Sequence, residues 1–276
     1  MMEQNKQQAK FSVLMSVYYK EKPEYLRKSI DSILDQTLMP NEIVIVKDGC
    51  LGNELESVLK EFSKYDFIKV VGYAQNKGLG LALNYGVNHC SNDIIARMDS
   101  DDISSYDRFE KELKCLIDGG YDLVGSNTIE FIDEISNVIS DRTMPESNQD
   151  IIKYSRKRNP FIHPSIMTYK DKILSAGNYQ NCYLCEDFDL WTRMIENGCK
   201  CYNIQENLVY MRVSNDFYKR RGGIKYCRAI VCFKKKLFKK KYMSRIDYVK
   251  TKYATIIVSL APAFLREIIY KKFLRK

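Results

Sequence analysis

Four short apolar runs, alternating with segments of helical spacing, restrict the fold of this chain more than any other feature. Residues 11–18 (FSVLMSVY) are apolar at nearly every position, which reads as a strand buried on both faces, the environment of a parallel sheet. Pro23 then stands where a helix starts, Leu26, Ile30, Ile33 and Leu34 recur at helical spacing, and Thr37 and Pro40 end the segment. A second strand at 42–47 (EIVIVK) and a helix through Leu55, Val58, Leu59 and Phe62 repeat the unit. A third strand at 68–72, a helix from Leu79 to about His89 and a fourth strand at 93–98 continue it. Such units with short links predict an α/β fold, an open and mainly parallel sheet flanked by helices. Sheets of this kind hold ligands beyond the carboxyl ends of their strands. Past a helix at 106–117 and a strand at 123–128 the pattern turns irregular, with a strand expected at 161–167 and a helix at 188–197.

Charge divides the chain. Residues 217–276 hold 19 Lys and Arg against two acids, Asp247 and Glu267, a net +17, whereas residues 1–216 hold 25 bases and 33 acids, a net −8. The expected organisation is therefore a disordered N-terminus at 1–10, an acidic domain at 11–216 and a basic amphipathic helical tail at 217–276. The 276 residues, 45% of them hydrophobic, suffice for one large core plus that appendage. The opening MMEQNKQQAK lacks the apolar stretch of a signal peptide, which leaves the cytoplasm as the expected compartment. The nine cysteines should then be free thiols.

Polar groups stand at two of the predicted strand ends: Asp48 after the second, and Asp99, Asp101 and Asp102 after the fourth. Three carboxylates within four residues repel one another and raise one another's pKa unless they are compensated. Carboxylates joined by substrate phosphates are a common seat for Mg²⁺ or Mn²⁺, so the cluster points to a metal–phosphate site. An acidic turn capping the next helix is the alternative.

In their order and spacing, SVLMSVYYKEKPEYLRKSIDSILDQT, EIVIVKDG, NKGLGLALNYG, DIIARMDSDD and EDFDLW resemble the family 2 glycosyltransferases of the GT-A fold, over about residues 11–213. The opening and IARMDSDD segments are most similar to transferases that build O-antigen, capsule and exopolysaccharide. β-1,3-Galactosyltransferases acting on lipid-linked GlcNAc diphosphate are the nearest in kind. The resemblance implies an inverting transfer of a hexose, galactose foremost, from a UDP-sugar to an undecaprenyl-diphosphate-linked saccharide. It sets Asp48 against the uracil ring and Ser16 in the same pocket, although Lys47 and Cys50 replace an aspartate and a serine of the family pattern. It sets Asp99 on the ribose, Asp101 and Asp102 on a metal bridging the diphosphate, and Asp187 of the Glu186-Asp187 pair as general base. A metal stabilises the charge developing on the leaving phosphate, and a carboxylate takes the acceptor hydroxyl's proton during one direct displacement. For Asp187, a first-turn acid of the following helix is the alternative.

His163, in NPFIHPS, resembles a His-Pro-Ser element of related transferases and is a candidate to complete the metal shell or touch the diphosphate, against a structural role. His89 reads as structural. Cys182-x2-Cys185 with Cys199-x-Cys201 lacks the matched pairs of a zinc ribbon and reads as free thiols. Arg220 and Arg221, ahead of Gly222 and Gly223, are candidates for a clamp on the pyrophosphate of donor or lipid, or else solvated charge at a linker. The longest uncharged run of the tail, 253–265, has 13 residues and contains Pro262, short of the ~20 needed to cross a bilayer. Basic amphipathic helices on an anionic membrane surface fit it, which implies a peripheral protein at the inner face of the cell membrane. Nucleic acid is not an expected partner, because no nucleic-acid-binding motif accompanies the basic runs. The competing readings are a nucleotidyltransferase or another nucleotide-binding α/β enzyme, since acidic strand ends do not define a reaction, and a non-enzymatic adaptor acting through the tail.

Overall fold

The computed structural model describes residues 9–214 and 217–270. Residues 1–8, most of the N-terminus expected to be disordered, lie outside that range. The alternation expected from the sequence is present as β1 (Phe11–Val17), α1 (Pro23–Leu34), β2 (Glu42–Asp48), α2 (Asn53–Phe62), β3 (Ile68–Tyr73), α3 (Leu79–His89) and β4 (Ile94–Asp99). Then follow β5 (Ile103–Ser104), α4 (Arg108–Asp118), β6 (Leu123–Phe131), β7 (Val138–Arg142) and α5 (Asn148–Ser155). A 3-10 turn (His163–Ser165) leads to β8 (Met167–Tyr169), α6 (Lys170–Ser175), α7 (Glu186–Glu196) and β9 (Cys201–Arg212). The C-terminal part is helical: α8 (Phe217–Arg220), α9 (Gly223–Lys239), α10 (Arg245–Leu260) and α11 (Ala263–Ile269).

The sheet runs β3-β2-β1-β4-β8-β6-β9-β5, with β7 on β6. Its first four strands are parallel, β8 is antiparallel to both β4 and β6, and β6 pairs in parallel with β9. The parallel half follows from strands buried on both faces. Val13, Met15 and Val17 with Ile43 and Ile45 meet Leu26, Ile30 and Ile33 of α1, α2 and α4. The alternate residues Leu14, Val44, Val46 and Ile95 meet Ala82, Leu83 and Val87 of α3 and Leu190 and Trp191 of α7.

One expectation needs correction, and one strand was not expected. The strand placed at 161–167 is the 3-10 turn followed by β8, because Pro164 has no N–H to give to a ladder. The long β9 went unseen because Asn203, Gln205, Glu206 and Asn207 interrupt it where its register on β6 shifts, so it shows neither an apolar run nor alternation.

The division expected at 217 is not a boundary in the packing. Eight consecutive residues of α7, Phe188–Ile195, are buried, and a helix buried all round needs cover on its outer side. α9 supplies that cover: Phe233 meets the Phe188 ring at 5.0 Å, and Leu237 and Met243 join Cys185 in the same cluster. Lys236 Nζ lies 2.6 Å from Asp189 Oδ1, a carboxylate only 1% exposed that also takes Arg193 Nε at 3.0 Å. Tyr242 and Ser155 share a 2.6 Å hydroxyl–hydroxyl bond. Phe233→Ala should therefore lower the free energy of unfolding by about 3 kcal/mol. An unchanged denaturant midpoint would show that α9 unfolds independently of the body.

Candidate active site

The parallel strands bring their carboxyl ends to one edge. The β1–β4 register sets Ser16 opposite Asp99, the β1–β2 register sets Ser16 beside Val46, and Asp48 ends β2. Asp48 is buried and fully engaged. Its Oδ1 accepts from Tyr73 Oη (2.9 Å) and Lys77 N–H (2.8 Å), and its Oδ2 from Asn76 Nδ2 (2.9 Å) and Gly78 N–H (3.0 Å). A carboxylate has about four lone-pair positions, and here all are taken. Asp48, expected against the uracil ring, thus also ties β2 to the loop that opens α3. Gly49 completes the turn at φ 92°, where a Cβ would stand 2.7 Å from Asn76 N. Lys47, where the family has an aspartate, pairs with Glu56 of α2 at 3.0 Å.

The carboxylates of Asp99, Asp101 and Asp102 come within 4.8 Å of one another at the end of β4. Asp99 is ion-paired to Arg97, which is 1% exposed. Asp102 Oδ1 accepts from Arg212 N–H at 2.7 Å, while its Oδ2 is buried with no partner. Burial first, then Asp99 and Glu21, push Asp101 up to about 8, and burial with Asp101 and Asp99 raises Asp102 well above the carboxylate range. A crowded, partly desolvated set of oxygens of this kind fits a hard divalent cation.

Facing this cluster, the head of α7 carries Glu186 and Asp187. Asp187 Oδ2 accepts from Asn159 Nδ2 at 2.6 Å, and its Oδ1 from the Phe188 N–H at 2.7 Å. Burial, then repulsion from Asp187, pushes Glu186 up to about 7; burial also raises Asp187, opposed by those two donors and by Arg97. Arg97 thus favours the charged form in both acidic groups.

His163 stands apart from the three aspartates. Its Nε2 lies 3.1 Å from Tyr179 Oη, its ring packs between Tyr179 and Trp191, and burial holds it neutral, with its pKa well below the usual value. The grouping expected of it with the metal ligands is therefore not present, because the turn that carries it is locked into the core. The arginine pair is also divided. Arg220 donates to Ser214 Oγ at 2.9 Å, and its charge reaches Tyr18 beside Asp101. Arg221 lies instead against the Tyr270 ring, 5.7 Å from its centroid.

Residues 12–177 match the family described as Glycosyl transferase family 2. The chain belongs to that family. A UDP-Gal:alpha-D-GlcNAc-diphosphoundecaprenol beta-1,3-galactosyltransferase of Escherichia coli is 39% identical over 272 residues, 97% of each chain. The amylovoran biosynthesis glycosyltransferase AmsE of Erwinia amylovora is 37% identical over 223 residues, 80% of this chain and 83% of that one. Among solved structures, the mannosyltransferase PcManGT from Pyrobaculum calidifontis, in complex with GDP-Man and Mn²⁺, matches 90% of this chain and 69% of its own with a TM-score of 0.64 at 15% identity. That likeness is one of fold, and the fold is GT-A.

Three residues of this glycosyltransferase's site escaped the sequence reading. Glu21 Oε2 accepts from Ser100 Oγ at 2.6 Å and so supports the acidic turn from α1's entry. Arg212, at the end of β9, donates its Nε to the Asp101 carbonyl at 2.9 Å and stacks 3.8 Å from the Tyr25 centroid. Asn159, which donates to Asp187, belongs to the NPFIHPS segment singled out for His163.

Proposed function

We propose that this glycosyltransferase moves a hexose, galactose foremost, from a UDP-sugar to a saccharide carried on undecaprenyl diphosphate, with inversion at the anomeric carbon, during surface-polysaccharide synthesis. The observation that carries the reading is the placement of a three-carboxylate cluster with an unpartnered buried oxygen against a helix head bearing a positioned Asp187. Donor and acceptor are those in the name of the Escherichia coli relative, alike over 97% of both chains. Asp101 and Asp102 would hold Mn²⁺ or Mg²⁺, with Asp99 toward the donor. When bound, such an ion supplies positive charge to the departing diphosphate. Asp187, oriented by Asn159, takes the proton of the acceptor hydroxyl as that oxygen attacks. Arg97 favours the charged form in both acidic groups, against their burial, and Ser16 lines the donor side of the cleft. Arg220, beside Tyr18, is placed to meet a diphosphate oxygen.

A screen of UDP-, GDP- and dTDP-sugars with Mn²⁺ on a synthetic lipid-diphosphate GlcNAc, scored by nucleoside diphosphate release, tests this reading. Release from none of them would favour a nucleotidyltransferase or another nucleotide-binding reaction. The pH dependence is also specified. A base must be unprotonated to act, and burial raises the pKa of Asp187, so kcat should begin to fall at a pH above the ordinary aspartate value as the solution is acidified. A rate that stays flat down to about pH 4, the ordinary aspartate value, would contradict this assignment.

A further inference from the structure

The last two helices wear their apolar side outward. In α10, Ile246, Val249, Tyr253, Ile257 and Leu260 recur at spacings of three and four and are between 41% (Val249) and 66% (Ile246) exposed. Its protein-facing side is mixed: Tyr248 stacks on Phe238 at 4.8 Å, Ser259 is buried, and Lys234 Nζ donates to the Thr251 carbonyl (2.9 Å) and Thr255 Oγ1 (2.7 Å). α11 repeats the inversion, with Phe264 68% exposed and Arg266 only 6%. Arg266 turns inward and donates to the carbonyls of Ser259 (3.1 Å) and Ala261 (2.7 Å), groups that a helix end otherwise gives to water. A helix folded for water does the reverse. Eight of the twenty exposed large apolar side chains among the described residues lie between Ile246 and Ile268, so they form a patch rather than scatter.

We infer that α10 and α11 lie flat on an anionic lipid bilayer, with the stripe from Ile246 to Phe264 at the boundary of headgroups and acyl chains. Charge selects this occupant. Arg228, Lys235, Lys239, Lys241, Arg245 and Lys250 are exposed on α9, the turn after it and the start of α10, and complement lipid phosphates. A second copy of the chain would bring the same cations and be repelled. No helix among the described residues is long and apolar enough to cross a membrane, so the element lies in the interface. The surface is also coupled to the site: α9 covers the helix that carries Asp187, and α11 packs on α8, which carries Arg220. The bilayer would therefore hold the cleft at headgroup level. That consequence rests on the lipid-linked acceptor proposed above, whereas the membrane surface itself does not.

The test compares the full chain with an Ile257→Asp/Phe264→Asp variant. Both side chains are exposed, so melting temperature and UDP affinity should match. Vesicles of phosphatidylcholine with about 30% phosphatidylglycerol should sediment the unsubstituted protein, release it as salt rises, and bind the variant at least about tenfold more weakly. Equal partition of the two proteins, or capture of neither, overturns the inference. So does a self-associating protein that the variant dissociates without any vesicle binding. Transfer to a short-chain, water-soluble acceptor should be the same for both, and transfer to a vesicle-embedded acceptor should fall in the variant. If lipid-diphosphate acceptors are not used at all while the partition difference stands, the acceptor reading fails and the membrane surface holds.

Discussion

An Asp187→Asn protein is expected to bind the donor normally and lose at least about a hundredfold in kcat. The substitution keeps the shape of the side chain and an oxygen for the Phe188 N–H, which lies 2.7 Å away, but removes the ability to accept a proton. Since proton removal counts only in the transition state, the loss should appear in kcat and not in UDP affinity. Asn159→Ala should reproduce part of it, because the 2.6 Å bond to Asp187 Oδ2 orients the base rather than performing the chemistry. Near-normal turnover of Asp187→Asn, accompanied by a lowered melting temperature, would make Asp187 a helix-terminal acid instead.

Asp102→Asn should separate metal-dependent function from stability in opposite directions. The Oδ1 that accepts the Arg212 N–H is retained, while one charge leaves a buried cluster whose members raise one another's pKa. Several kcal/mol of electrostatic stabilisation would be lost from the leaving diphosphate, about a thousandfold in rate, and UDP binding should no longer respond to Mn²⁺. Without metal, however, the variant should melt no lower than the parent, because the repulsion it relieves is part of the cost of assembling the site. Binding of UDP that is equal in Mn²⁺ and in chelator for the parent protein would remove the metal from the mechanism. A variant that unfolds far more easily would make Asp102 a structural partner of Arg212.

Much of the fold was legible because parallel strands buried on both faces leave a local record. Residues 11–18, 42–47 and 93–98 are largely apolar runs that fold between two layers of helices, and β1, β2 and β4 lie where those runs place them. The acidic turn was legible for a related reason: three like charges in four residues are too costly to place at random. β9 left no such record, since its polar middle and shifting register depend on β6, more than seventy residues earlier in the chain.

The sequence by itself determined the family, the GT-A sheet, the acidic turn after β4 and the acid pair at the head of α7, all of which rest on short-range patterns of burial and charge. Only the tertiary structure decided what each side chain faces. It saturates Asp48 with four hydrogen bonds, locks His163 against Tyr179 and Trp191, and brings Asn159 to Asp187 across 28 residues. It also folds α9 onto α7 while turning the apolar side of α10 outward. The reason is that hydrogen-bond saturation and the side of a helix left exposed are set by groups distant in the chain, and neither residue type nor spacing carries that information.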